Sequence, residues 1–362
     1  MRTDELQEQF DGPAECRRRH DVGHGRTLLN LVTMLTYDGD MRVLSGIQPS
    51  GTIHLGNYLG AIRTWVREQH EDAFYCVVDL HSLTLPIEPA ALRQNTVECA
   101  ASLLAAGIDP DKCTFFLQSE VQYHPRLSWL LECVATMGEL NRMTQYKEKA
   151  EKSLGKVGLF TYPVLQAADI LLYDTTHVPV GDDQRQHIEL ARNIAERFNF
   201  NYGDTFVVPE GTFPAAGARV MDLQQPERKM SKSVSSPLGT VSLLDSPEDV
   251  IKKVKKAVTD TDAEVRYDRK AKPGVSNLLD ILAGLHESTP SAEAEKYSRY
   301  GDLKAATGDA INDVFGPIQQ RYATYMADPA EVLRIMSRGA ERASTIAEAT
   351  YRRAATAVGL VG

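Results

Sequence analysis

Cysteine is sparse in this chain of 362 residues: Cys16, Cys76, Cys99, Cys113 and Cys133 are odd in number and never spaced as CxxC. That argues against a disulfide framework or a structural zinc site, and a reducing cytosol is the expected setting. Cys76, Cys99 and Cys133 fall within apolar stretches and are expected to serve as small core residues. Long apolar runs are also missing. No stretch approaches the roughly 18 apolar residues a membrane helix needs, so no membrane partner is expected. Nor is there an excess of positive charge. The formal net charge is −9, which argues against a general nucleic-acid coater while leaving room for a local basic patch that binds RNA. Internal repeats and low-complexity linkers are lacking too. What remains, 43% hydrophobic and 25% charged residues, is the balance of an ordinary globular protein long enough for two domains.

Residues 1–40 differ in texture. Arg17-Arg18-Arg19 precedes an apolar stretch at 27–35, superficially like a targeting peptide. Yet Asp4, Glu5, Glu8, Asp11 and Glu15 lie before it, and acidic residues are scarce in such segments. The expectation is a loosely ordered extension, or a start upstream of a native initiation at Met41.

Beyond it, residues 42–45 read as a short strand, 55–69 as a helix with Leu59, Ile62 and Val66 on one side, and 73–79 as a buried strand ending in a carboxylate. Pro89 opens a helix through 103, at a position where proline is tolerated. Residues 114–117 form a third strand, and helical patterns follow from about Leu127. Strands separated by helices mean βαβ units and a mostly parallel sheet, an α/β fold whose ligands bind at the carboxyl ends of strands. Those ends carry Gly46 to Ser50, Asp79-Leu80-His81 and Gln118-Ser119. They would converge on an active site, or merely end strands. From about Ser246 the pattern is helical only, at 247–257, 275–285, 301–325 and 329–358.

Two short segments carry the chemistry. Lys229-Met230-Ser231-Lys232-Ser233 places two lysines and two serines in a loop flanked by Pro226 and further serines, suited to holding a polyphosphate. Far upstream, Gly46-Ile47-Gln48-Pro49-Ser50-Gly51 and His54-Leu55-Gly56-Asn57 open a helix whose free N–H groups favour anions. A carboxylate at Asp169, among Ala167, Ala168, Ile170 and Leu171, needs a partner or carries a large desolvation cost.

The two signature segments, in this order and separation, resemble those of class I aminoacyl-tRNA synthetases. The strings at 46–51, 54–61, 138–145, 167–173 and 178–184, with 257–260 and 272–279, are similar to bacterial tryptophanyl-tRNA synthetases from about Met41 to the C-terminus. The resemblance implies a Rossmann-like parallel-sheet catalytic domain at 41–240 and a C-terminal α-helical tRNA-binding domain at 241–362. It implies activation of L-tryptophan by ATP with release of pyrophosphate, then transfer to tRNA(Trp), with Mg2+ arriving on the ATP phosphates and no metal held by the protein itself.

The same resemblance implies residue roles. Catalysis falls to Lys229, Lys232, His54 and Asn57. ATP contacts fall to Gln48, Pro49, Ser50, Gly56, Asn57, Lys149, Gly181, Asp182, Asp183, Val220, Met230, Ser231 and Ser233, with Lys147 and Lys152 competing for the role of Lys149. Asp182 and Asp183 would also serve as N-terminal charges of the helix 184–198. Tryptophan would be held by Asp169 accepting the indole N–H, with Tyr162, His81, Gln48, Gln166 and Gln184 around it. Gln166 stands where many relatives have methionine, and a glutamine beside an aspartate would also suit a phenolic hydroxyl. A tyrosyl relative, or a silent synthetase-like RNA-binding or regulatory protein, are thus the alternatives. Both signature lysines, Asp169 and the Gly56-Asn57 pair are present, which gives no sign of decay. A cytoplasmic homodimer bridged by tRNA is implied, with 129–143 as the dimer surface. Lys252, Lys253, Lys255, Lys256, Arg352 and Arg353 are the basic candidates facing RNA.

Overall fold

Five parallel strands form the sheet in the order β3-β2-β1-β4-β5: β1 (Val43–Ile47), β2 (Ala73–Val77), β3 (Thr114–Leu117), β4 (His177–Pro179) and β5 (Glu210–Thr212). The computed structural model describes residues 41–143, 156–212, 219–231 and 236–361, without the Asp182 side chain. The first strand, β1, lies in the middle of the sheet; the chain steps outward from it to β2 and β3, then crosses back to β4 on the other side of β1. That reversal opens a crevice beyond the carboxyl ends of β1 and β4, the usual ligand position in such sheets. β2 is buried along its whole length, as a strand covered on both faces must be. Its alternation sends Ala73, Tyr75 and Val77 into one hydrophobic core and Phe74 and Cys76 into the other.

The helices of the sheet region are α1 (Leu55–Asn57), α2 (Arg63–Glu68), α3 (Asp79–Ser82), α4 (Pro89–Ala106), α5 (Tyr123–Glu132), α6 (Met137–Arg142), α7 (Val157–Leu171) and α8 (Arg185–Tyr202). A π turn at Tyr58–Ile62 joins α1 to α2, where the spacing predicts one uninterrupted helix. A single π turn inside a continuous run of helix has no residue signature of its own, so the sequence does not reveal it. β5 is a second difference: three residues with glycine at the centre carry no strand signal, and pairing with β4 alone creates it. Cys76 and Cys99 are buried as expected, but Cys133 is exposed. It caps the end of α5 rather than lying on that helix's inner face.

The helical remainder comprises α9 (Pro247–Lys255), α10 (Pro273–His286), α11 (Pro290–Ala294), α12 (Tyr300–Ala327) and α13 (Pro329–Ala357). Proline opens α9, α10, α11 and α13, where its missing N–H costs no helical hydrogen bond. α13 packs against edge strand β3 so closely that a Cβ on Gly339 would stand 1.8 Å from the Phe115 carbonyl oxygen. Arg342 Nη2 fastens the same helix by donating to the carbonyls of Pro110 and Cys113. The terminal helix thereby covers an edge that would otherwise present unpaired backbone.

Candidate active site

β1 delivers the first signature segment. Past Ile47 the Ser50 N–H donates to the Gln48 carbonyl at 2.8 Å, and Gly51 turns the chain at φ 102°, a conformation suited to glycine. Pro49 is buried beneath this turn, Gln48 is half-buried and Ser50 is exposed. His54 then caps α1: the Asn57 N–H donates to His54 Nδ1 at 3.3 Å, and the His54 N–H donates to Asn57 Oδ1 at 3.1 Å. The two signature side chains thus satisfy each other's backbone in a reciprocal capping box. Gly56 makes this possible, since a Cβ there would stand 3.0 Å from His54 Cε1.

The second signature segment is one arm of a short hairpin. The Met230 N–H donates to the Val220 carbonyl at 3.0 Å, and the Asp222 N–H donates to the Arg228 carbonyl at 2.8 Å. Asp222 Oδ1 closes the turn by accepting from the Gln224 and Gln225 N–H groups. Alternation along the arm puts Met230 into the core, 2% exposed, and Lys229 outward. Residues 239–243 stitch the two segments together. Thr240 Oγ1 donates to the Ser231 carbonyl at 3.0 Å, the Leu55 N–H to Val241 at 2.9 Å, and the Leu243 N–H to Ile53 at 2.8 Å. Segments more than 170 positions apart in the chain are therefore held on one short piece of backbone. Lys232, Ser233 and Lys149, with Lys147 and Lys152, lie outside the described residues.

Asp169 faces inward from α7 and is already satisfied by protein donors. Its Oδ1 accepts from Gln118 Nε2 at 2.7 Å and from His124 Nδ1 at 2.6 Å, and its Oδ2 accepts from His81 Nε2 at 2.8 Å. Burial alone would raise its pKa, but His124 and then His81 outweigh burial and hold the carboxyl well below the usual range. Gln118 is itself oriented by the Leu80 N–H at 3.1 Å, and the Tyr173 hydroxyl lies 2.8 Å from His124 Nε2. The sequence leaves Asp169 waiting for a ligand; the fold instead supplies three donors, and a carboxylate with about four acceptor positions keeps roughly one for a ligand. His124 gives no signal of this role in sequence, because only the packing of α5 against α7 brings it there.

Tyr162 lies two helical turns before Asp169 on the same face of α7. Its hydroxyl is 3.0 Å from His187 Nε2, its ring meets His81 edge-on at 6.2 Å, and burial pushes its phenol up to about 12. Gln166 Nε2 donates to Gln184 Oε1 at 3.3 Å, and Gln184 Nε2 donates to Asp183 Oδ2 at 3.1 Å. Gly181 begins this turn, where a Cβ would stand 2.7 Å from Asp183 Oδ1. Asp182 lies in the same turn, at Asp182–Gln184. Lys229 Nζ closes the circuit, 3.9 Å from Asp183 Oδ1. A polar path thus runs from Gln166 on α7 through Gln184 and Asp183 to the signature lysine.

The basic candidates divide. Lys252, Lys255 and Lys256 are exposed, but Lys253 is bound to Asp245 at 2.5 Å. Arg353 donates to the Thr205 carbonyl and pairs with Asp174, fastening α13 to the sheet region, and Arg352 pairs with Glu348. Trp129 and Met137 are 65% and 67% exposed, large apolar groups turned to solvent.

Comparison with known proteins follows the same lines. Residues 36–316 match the family described as tRNA synthetases class I (W and Y). The chain is 51% identical over 327 residues to tryptophan–tRNA ligase 2 of Streptomyces avermitilis, covering 88% of this chain and 97% of that one. It is 48% identical over 324 residues to the tryptophan–tRNA ligase of Caldanaerobacter subterraneus, covering 88% and 98%. Among solved structures, the tryptophanyl-tRNA synthetase of Mycoplasma pneumoniae superposes with a TM-score of 0.82 at 36% identity, covering 89% of this chain and 98% of that one. The Campylobacter jejuni enzyme complexed with ADP and tryptophan superposes with a TM-score of 0.76 at 36% identity, covering 88% and 100%. The chain belongs to the class I tRNA synthetases of the tryptophan and tyrosine family.

Proposed function

We infer that this chain is an ATP-dependent tryptophan–tRNA ligase. It activates L-tryptophan as the adenylate, releases pyrophosphate and transfers the aminoacyl group to tRNA(Trp). The observation that carries the reading is the stitching of the two signature segments through 239–243, with a polar path from Lys229 to Gln166 on the helix that also carries the buried, anionic Asp169. Relatives about half identical across nearly their whole length, each a tryptophan–tRNA ligase, support the choice of amino acid.

The tryptophan carboxylate attacks the α-phosphorus of ATP, and pyrophosphate leaves. No covalent enzyme intermediate is needed, so the protein contributes positioning and charge. Positioning of this kind accounts for roughly 7–11 kcal/mol in favourable cases. Lys229, with Lys232 and Lys149, neutralises the departing phosphates. Gln48, Pro49, Ser50, Gly56, Asn57, Gly181, Asp182, Asp183 and Val220 surround the nucleotide, and Ser231 and Ser233 add hydroxyl donors. Met230 contributes through its backbone, its side chain being core. Magnesium arrives on the ATP phosphates and supplies charge neutralisation there. The indole N–H takes the remaining acceptor position of Asp169, with His81, Tyr162, Gln48, Gln166 and Gln184 as the polar rim.

The enzyme works in the cytoplasm as a homodimer, with residues 129–143, among them the exposed Trp129 and Met137, at the subunit contact. Residues 41–240 form the catalytic part and 241–362 the RNA-facing helical part. Amino-acid-dependent ATP–pyrophosphate exchange tests the reading. Exchange with tryptophan alone is expected. Exchange with tyrosine instead would overturn the substrate, and exchange with none of tryptophan, tyrosine and phenylalanine would overturn the reaction.

A further inference from the structure

We propose that Asn277 is a positioning residue for the lysine hairpin, its side-chain amide standing in for a third strand beside Met221 and so setting where Lys229 is presented. The proposal rests on the ligase reading and adds to it a residue that acts through Met221 and the hairpin rather than as one of the residues given a substrate contact above. Asn277 lies in α10 and is 2% exposed. Its Nδ2 donates to the Met221 carbonyl at 2.9 Å, and its Oδ1 accepts from the Met221 N–H at 2.8 Å. One side chain thereby satisfies both peptide groups of a single residue, the pattern a neighbouring strand would supply. On its other side Met221 bridges to Lys229 across the hairpin.

A two-stranded piece of this length is marginal alone. Asn277 adds the third rung from a rigid base. The Val258 N–H donates to the Leu223 carbonyl at 2.8 Å, and Gly274 at the start of α10 sits so near that a Cβ would stand 2.0 Å from the Val258 oxygen. The helix, residue 258 and the hairpin are thus locked together. The amide donates from Nδ2 while it accepts at Oδ1, two atoms spaced to meet both groups of Met221. Aspartate keeps the volume but sets a second oxygen against the Met221 carbonyl, and alanine leaves both groups without this partner.

The test is tryptophan-dependent ATP–pyrophosphate exchange by the full chain carrying Asn277→Ala, Asn277→Asp, Lys229→Ala or the Asn277→Ala/Lys229→Ala pair, with thermal unfolding of each. Small misplacements from remote changes cost up to about 100-fold, so kcat should fall by about 10- to 100-fold in both Asn277 variants. The KM for tryptophan should stay within about 2-fold, because interactions with the amino acid are untouched. On the Lys229→Ala background the second substitution should add little, since both act through one group. Additive losses, a rise in the tryptophan KM matching the fall in kcat, or an unchanged kcat would each overturn the proposal. So would loss of the cooperative unfolding transition in both Asn277 variants, which would make the residue one of stability. A wild-type chain without exchange would overturn the ligase reading and this proposal with it.

Discussion

Asp169→Asn is the sharpest perturbation of the proposed amino-acid pocket, because it keeps shape and removes charge. In the wild type Oδ1 takes two protein donors and Oδ2 one, leaving an acceptor position on the Oδ2 side. Asparagine will keep its oxygen toward Gln118 and His124, where two donors converge. Its amide nitrogen then faces His81 and the ligand, turning the ligand's acceptor into a donor. Hydrogen bonds to a charged group are worth about 1.5–3 kcal/mol, and an indole N–H now meets another donor, so the loss in tryptophan binding should be about 2–4 kcal/mol. At about 1.4 kcal/mol per decade this raises the tryptophan KM by roughly 30- to 1000-fold. The KM for ATP should hardly change. Stability should fall as well, since His124 and His81 outweigh the burial cost of the charge and that balance is lost with it. Exchange kinetics with each substrate varied, beside a urea unfolding curve, make the measurement. A tryptophan KM unchanged within about threefold, or a loss confined to ATP, would refute the role of this carboxylate.

Gly339→Ala should lower the urea midpoint by about 1–3 kcal/mol of stability, because the added Cβ would stand 1.8 Å from the Phe115 oxygen and must push α13 off β3; an unchanged midpoint would mean that this contact yields freely. Acid should also destabilise the fold below a definite point. Burial raises the pKa of Asp260, but hydrogen bonds from Lys272 and Tyr300 bring it down to about 2, and Asp169 is likewise depressed. Their folded values lie below the unfolded value near about 3.9, so their stabilisation is complete above it and is lost as pH falls through the folded values. The urea midpoint measured from pH 7 to pH 3 should therefore hold down to about pH 5 and fall below about pH 4, with a smaller fall in Asp169→Asn; a decline already under way at pH 6 would point to other groups.

Local patterns carried far. Residues 114–117 read as a strand and are one, and the prolines at 89, 247 and 329 open helices where they stand. The two signature segments stand out because each compresses several special residues into a few positions, and Asp169 because a carboxylate in an apolar stretch is costly. These are local properties, written in neighbouring residues and their periodicity.

What tertiary structure decided is whatever depends on distant partners. His124 and His81 reach Asp169 from 45 and 88 residues away, and Asn277 reaches Met221 from 56. No periodicity spans such distances, since any polar residue on a helix looks the same until another element arrives beside it. The same holds for Cys133 turning outward, for Lys253 spent on Asp245, and for Arg353 spent on Asp174 and Thr205. The chain alone determined the first three strands, most of the helices and which segments are the candidates for the chemistry. The fold decided which donors keep Asp169 ionised and what holds the lysine hairpin in place, because a hydrogen bond needs two groups within about 3 Å and only packing sets that distance.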